Sequence, residues 1–193
     1  MEKEFEKIVN TIKGFTNDFV AQQFYHKKLD QNLLCVFLGG GQSSILIYST
    51  KNGFNHIAEI RYRASGNSMF VSAFECDSNF QQNGLGRFLL DMAMAHADLK
   101  GCVTMYGVAN PTNEIKGVSG EGVLLEDEKQ ALYKIYKKLG CSLENIVVNN
   151  QPTNDIMFKQ CWVSGQKLSN LNASQQSFIK QIGVCSSASP LKK

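Results

Sequence analysis

Residues Gln81-Gln82-Asn83-Gly84-Leu85-Gly86-Arg87 constrain this chain more than any other stretch, because of what lies on either side of them. Upstream, Ser68 to Asp77 (SMFVSAFECD) reads as a buried strand. Downstream, Leu85, Phe88, Leu89, Met92, His96 and Leu99 recur at helical spacing, with no proline before Pro111. A strand that passes through glycines into a helix leaves amide N–H groups unpaired at the positive end of the helix dipole. Such a turn suits an anion, and a pyrophosphate in particular. Glycine at 84 and 86 permits positive φ and removes the Cβ that would hold an anion away. A ligand-free turn uses the same residues, so the motif needs support from elsewhere. Two other phosphate loops are excluded. The dinucleotide fingerprint needs a third glycine where Leu89 stands, and the P-loop needs Gly-Lys-Ser/Thr, which is absent.

A second segment, Leu132 to Cys141 (LYKIYKKLGC), supplies that support. Leu132, Ile135, Tyr136 and Leu139 form one apolar helical face, and the three lysines lie largely off it. Gly140 suits a left-handed C-cap, with lysines near the negative end of the dipole. Strand, glycine turn, helix, strand, and a helix ending in Tyr-x-x-x-Gly together resemble the GNAT superfamily of N-acetyltransferases, over about residues 56 to 162.

That resemblance implies an α/β fold: a mixed, mostly antiparallel central sheet with one splayed parallel pair, flanked by helices. It implies acetyl-CoA as acyl-donor co-substrate, lying where the parallel strands part. The backbone near Phe74 and Cys76 would pair with the pantetheine arm, and the turn Gln81, Gln82, Asn83, Gly84, Leu85, Gly86 and Arg87 would hold the pyrophosphate. Tyr136 would protonate the departing thiolate as the catalytic acid. Its reference pKa, near 10, exceeds the ~8.5 of a thiol. Asn110, at the end of the next strand, would bond the cofactor.

Each role has a plainer alternative. Tyr136 shares a face with Leu132 and Leu139, as a core residue would, and Tyr133 is the weaker donor candidate. Asn110 also suits a turn before Pro111. Cys76 lacks a matched base at recognisable spacing, so it reads as a small buried side chain rather than a nucleophile. The glutamate that some relatives carry six residues before the Cys76 position is Phe70 here. Glu75 and Asp77 are the nearby carboxylates, and Glu75 alternates away from Phe74 and Cys76 unless a bulge intervenes. Phe70, Phe74 and Tyr106 read as one apolar face that suits an acceptor with apolar surface.

Composition bounds the rest. A chain of 193 residues, 43% hydrophobic and 19% charged, is long enough for a sizeable core. Its net charge of +3 comes from scattered lysines, which argues against nucleic acid. MEKEFEK lacks an apolar signal region, and no apolar run reaches membrane-spanning length, so the expected location is cytoplasmic. Six cysteines without a CxxC pair read as reduced thiols. Three histidines at no ligand spacing argue against a metal.

The expected domain covers 1–163, opening with helices over 1–28, where Phe5, Ile8, Val9, Ile12, Phe19 and Phe24 make an apolar stripe. Strands are expected at 33–38, 44–49, 56–64 and 68–77 as an antiparallel meander, with Gly39-Gly40-Gly41 a hairpin turn. A strand at 102–108 pairs parallel with 68–77 across the glycine-turn helix. Asn110–Glu126 is a long glycine-bearing loop, either a substrate lid or a solvated insertion. A hairpin of 146–148 with 156–162 closes the sheet. Residues 164–193 form a polar extension, with a short helix near 174–182 and a disordered end.

The expected activity is acetyl transfer from acetyl-CoA to an amine, on a small molecule or a protein, by direct attack in a ternary complex. The protein is expected as monomer or homodimer. One rival is a catalytically weak CoA-binding sensor or recruiting module. Another is an enzyme using longer acyl chains or a hydroxyl acceptor.

Overall fold

Alternating apolar residues and tight turns build an eight-stranded sheet. The computed structural model describes residues 18–51, 55–109 and 136–187, with positions 6, 9–11 and 134. The strands are β1 (Phe19–His26), β2 (Gln31–Leu38), β3 (Ser43–Ser49), β4 (Asn55–Ser65), β5 (Ser68–Cys76), β6 (Thr104–Ala109), β7 (Ser142–Val148) and β8 (Gln151–Cys161). Their order is β1-β2-β3-β4-β5-β6-β8-β7. Every neighbouring pair is antiparallel except β5 with β6. Three helices are described along their whole length, α1 (Leu85–Leu99), α2 (Gln166–Ser169) and α3 (Ala173–Ser187), and residues 136–138 are helical as well. This is the expected α/β fold, with its mostly antiparallel sheet and parallel pair.

The N-terminal helix expected through residue 28 does not reach residue 19. Phe19–His26 pairs along its whole length with Gln31–Leu38, from Phe19↔Leu38 to His26↔Gln31. The helical spacing of Phe19 and Phe24 yields to this pairing, because tertiary context overrides weak local preference. Phe24 then packs edge-on against Phe88 of α1 and Phe178 of α3, at 5.7 and 5.6 Å between ring centres.

Sequence composition also hides how the chain ends. Residues beyond 163 are mostly polar, yet Leu171, Phe178, Ile179 and Ile182 are buried in the same core as α1 and the sheet. Asp98 of α1 fixes this unit in place. Its carboxylate accepts the backbone N–H groups of Gly165 (2.8 Å), Lys167 (2.9 Å) and Leu168 (3.3 Å). The segment 164–187 therefore closes the core rather than trailing from it.

The last hairpin is longer than expected, with Asn149 and Asn150 both left-handed (φ 51° and 63°) between β7 and β8. Paired left-handed residues are what a two-residue hairpin turn requires. The five described cysteines, 35, 76, 102, 141 and 161, are free thiols. Among the described residues no helix is long and apolar enough to cross a membrane. Asn110, Pro111, the loop Asn110–Glu126, Leu132, Tyr133 and Ile135 lie outside the described residues, as do most of residues 1–17 and the last six.

Candidate active site

A fork opens between β5 and β6. The parallel register runs from Ser68↔Thr104 to Val71↔Gly107 and stops there. Beyond it β5 continues to Cys76 against β4, and β6 continues to Ala109 against β8. The inner edges of the two strands then run on without pairing to each other. Open backbone N–H and C=O groups on such an edge can pair with an extended ligand.

One extra residue prepares this edge. Arg61 pairs with Ala73 and Tyr62 with Val71, so Ser72 is a bulge. A bulge shifts the side-chain alternation by one. Upstream, Met69 and Val71 face the helices. Downstream, Phe74 and Cys76 do, and Glu75 faces the other way opposite Glu59. The bulge also corrects the expected apolar face. Phe74 packs beneath α1, whereas Phe70 shares the opposite face with Tyr106, ring centres 5.3 Å apart.

At the outlet of β5 the chain makes a 3-10 turn, Ser78–Phe80, and enters α1. Side chains in the turn bind the turn itself. Asp77 accepts the Asn79 N–H (2.8 Å), and Gln81 donates to the Cys76 carbonyl (3.3 Å). Asn83 donates to the carbonyls of Phe80 (3.4 Å) and Gln81 (3.2 Å). Gln82 and Gly84 are both left-handed, at φ 61° and 88°. Two left-handed residues within three positions curl the backbone as anion-cradling turns do. A non-glycine held there is mildly strained, which is common at functional sites. No side chain caps α1, whose first hydrogen bond runs from Phe88 N–H to Gly84 C=O.

The two glycines serve different needs. Gly84 has open space around it and is fixed by its φ. Gly86 has a closer neighbour: a Cβ there would stand 3.1 Å from Cζ of Phe74. Arg87 is half-exposed and held along the helix by Asp91, with Nε 2.9 and 2.8 Å from its two oxygens. Leu85 is buried in the core.

Tyr136 stands on the helix side. Its ring stacks on Phe158, 4.4 Å between centres and 13° from parallel. Phe158 in turn fills the space that a side chain at Gly107 would need, beside the Val71 carbonyl. This Tyr136–Phe158–Gly107 stack, which reaches the last paired residues of the fork, escaped the sequence reading. An isolated glycine inside a strand was its one signal. Burial, and then the nearby Cys141 thiol, push the Tyr136 hydroxyl up to about 12. Burial first, and Asp77 second, raise the half-buried Cys76 thiol, which is the opposite of nucleophile activation.

No protein-family profile matches the chain, and no curated protein does. Solved structures do. A cAMP-binding acyltransferase from Mycobacterium smegmatis (an E234A mutant) is similar at TM-score 0.50 and 16% identity, over 76% of this chain and 39% of that one. The ribosomal-protein-S18-alanine N-acetyltransferase from Escherichia coli is similar at 0.46 and 15%, over 70% and 77%. A PaiA N-acetyltransferase from Thermoplasma acidophilum, solved with coenzyme A, is similar at 0.46 and 12%, over 63% and 62%.

Proposed function

We propose that this chain, whose fold is of the GNAT type, is an N-acetyltransferase that moves an acetyl group from acetyl-CoA to an amine. One observation carries the reading: the open edge of β5 beyond Val71 runs directly into the uncapped turn at 81–87. An extended arm along the edge thus ends where a pyrophosphate meets amides and the helix dipole. In this reading the backbone at Phe74 and Cys76 pairs with the pantetheine, and the turn Gln81 to Arg87 takes the phosphates. Asn110, which follows β6 in the sequence, bonds the cofactor, as the resemblance implies. Holding donor and acceptor together supplies most of the acceleration.

The step balances simply. The amine nitrogen attacks the thioester carbonyl, the C–N bond forms and the C–S bond breaks. The nitrogen's proton leaves through water toward Glu75, on the face opposite the helices. The sulfur departs as thiolate, which Tyr136 meets as hydrogen-bond donor. Burial pushes its hydroxyl up to about 12, well above an ordinary thiol near ~8.5, so we assign it the hydrogen bond rather than the full transfer of its proton. Tyr136 therefore stabilises the thiolate, and solvent delivers the proton.

The rival sensor reading has its own observation: Phe70, not a carboxylate, stands on the acceptor face of the strand. Calorimetric titration with CoA, run beside a thiol-release assay over an amine panel, separates the two. Binding with amine-dependent release supports the enzyme, binding without release supports the sensor, and no binding overturns both.

A further inference from the structure

The sheet face away from α1 carries a row that crosses four strands: Arg63, Phe70, Tyr106 and Lys159. Its centre is the aromatic pair, 37% and 39% exposed, with Val108 beside it at 47%. Its ends are cations. Arg63 is steadied by its Nε–H donating to the Gly41 carbonyl at 3.2 Å. The row lies one residue before the last parallel pair, Val71↔Gly107. One residue of strand is about 3.3 Å, so the rings border the fork.

Two adjacent exposed aromatics, bracketed by positive charge at the mouth of a cleft, have a definite complement. It is a molecule with a flat apolar body and an acid group. Exposed aromatic faces cost solvation unless covered, and flanking cations orient a carboxylate. Donor and acceptor would then reach the fork from opposite faces, the arm along the Phe74–Cys76 edge and the acceptor over this row.

We propose that the acceptor is a primary amine carrying both an apolar, preferably aromatic, body and a carboxylate, as an aromatic amino acid does. The body lies on Phe70 and Tyr106, and the carboxylate meets Arg63. This rests on the transferase reading and names its substrate class.

The test measures kcat/KM by thiol release for the full-length protein with acetyl-CoA and four acceptors: L-phenylalanine, phenethylamine, L-alanine and ethylamine. In parallel, L-phenylalanine is titrated into CoA-saturated protein. Phenylalanine should exceed alanine by about tenfold or more, from apolar burial. It should exceed phenethylamine by about three- to tenfold, from the exposed charge pair. The double variant Phe70→Ala/Tyr106→Ala should erase the first preference and Arg63→Gln the second. Both should keep the CoA-induced rise in melting temperature, which shows them folded. Equal use of all four amines overturns the proposal, as does an aromatic preference that survives the double variant. If no amine releases thiol while CoA still binds, the transferase reading fails. The row is then judged by the titration: phenylalanine binding lost in the double variant upholds it, and no binding overturns it.

Discussion

Cζ of Phe74 lies 3.1 Å from where a Cβ on Gly86 would sit, so a methyl there makes the ring give by a few tenths of an ångström. Gly86→Ala should therefore push Phe74 off the pantetheine edge and weaken CoA binding about tenfold. Shrinking the partner should help: Phe74→Leu added to Gly86→Ala should recover most of the loss, read by calorimetry. Gly84→Ala has no steric neighbour and should cost about 1–2 kcal/mol through its left-handed φ. Phe74→Leu should not rescue it. Equal rescue of both would contradict the separate roles.

Tyr136→Phe keeps the stack on Phe158 and removes the hydroxyl. If Tyr136 donates a hydrogen bond to the thiolate, turnover should fall roughly tenfold to a hundredfold, below the ~10²–10⁴ of a full positioned acid, with CoA affinity unchanged. The loss should shrink with a thioester whose thiol is more acidic. Tyr136→Ala should instead lower stability by roughly 3–5 kcal/mol, as truncated core aromatics do. Wild-type turnover in the Phe variant would leave Tyr136 a packing residue.

Acid should unfold this protein through its core. Tyr62 and His96 are fully buried, with the Tyr62 hydroxyl 2.6 Å from His96 Nδ1. Burial, with Lys100 second, pushes His96 down to about 3. The folded state thus refuses a proton that the unfolded chain takes near 6.5. The stability from this group is complete above that pH and is lost as pH falls toward 3. By pH 4.5 the loss should be roughly 2–3 kcal/mol. Denaturant titrations between pH 7 and pH 4.5 check this. The double variant Tyr62→Phe/His96→Leu should flatten the slope, and an unchanged slope would refute the assignment.

Asp98 binds three backbone amides of the C-terminal unit. Asp98→Ala strands those donors and should cost about 2–4 kcal/mol. Amide exchange should rise across 164–187 before it rises in β3 or β4. Uniform acceleration would mean that the unit has no separate hinge.

Strands β2 to β6, the glycine turn and α1 were legible because each is local. Alternation, a strand-to-helix turn and a 3.6-residue period repeat within short windows. What the sequence hid is relational. The strand β1 depends on a partner chosen by the Lys27–Asp30 turn, and its own FVAQQFYH supports a helix about as well. The Ser72 bulge leaves no compositional mark, so Phe70 and Phe74 looked like neighbours on one face. The core role of residues beyond 163 rests on four apolar side chains in a polar stretch, and on one distant carboxylate.

Closure of the core by α3 also sets an order of events during synthesis. Phe24 waits for Phe178, and Gln22 for Ser174, whose Oγ lies 2.8 Å from the glutamine nitrogen across 152 positions of sequence. Contacts that distant in sequence form slowly, and a ribosome feeds the chain from its start. While the end of α3 is still in the exit tunnel, β1 has no lid and the apolar side of the sheet stays open. Until α3 has left the tunnel, the growing chain presents that surface to the chaperones around it.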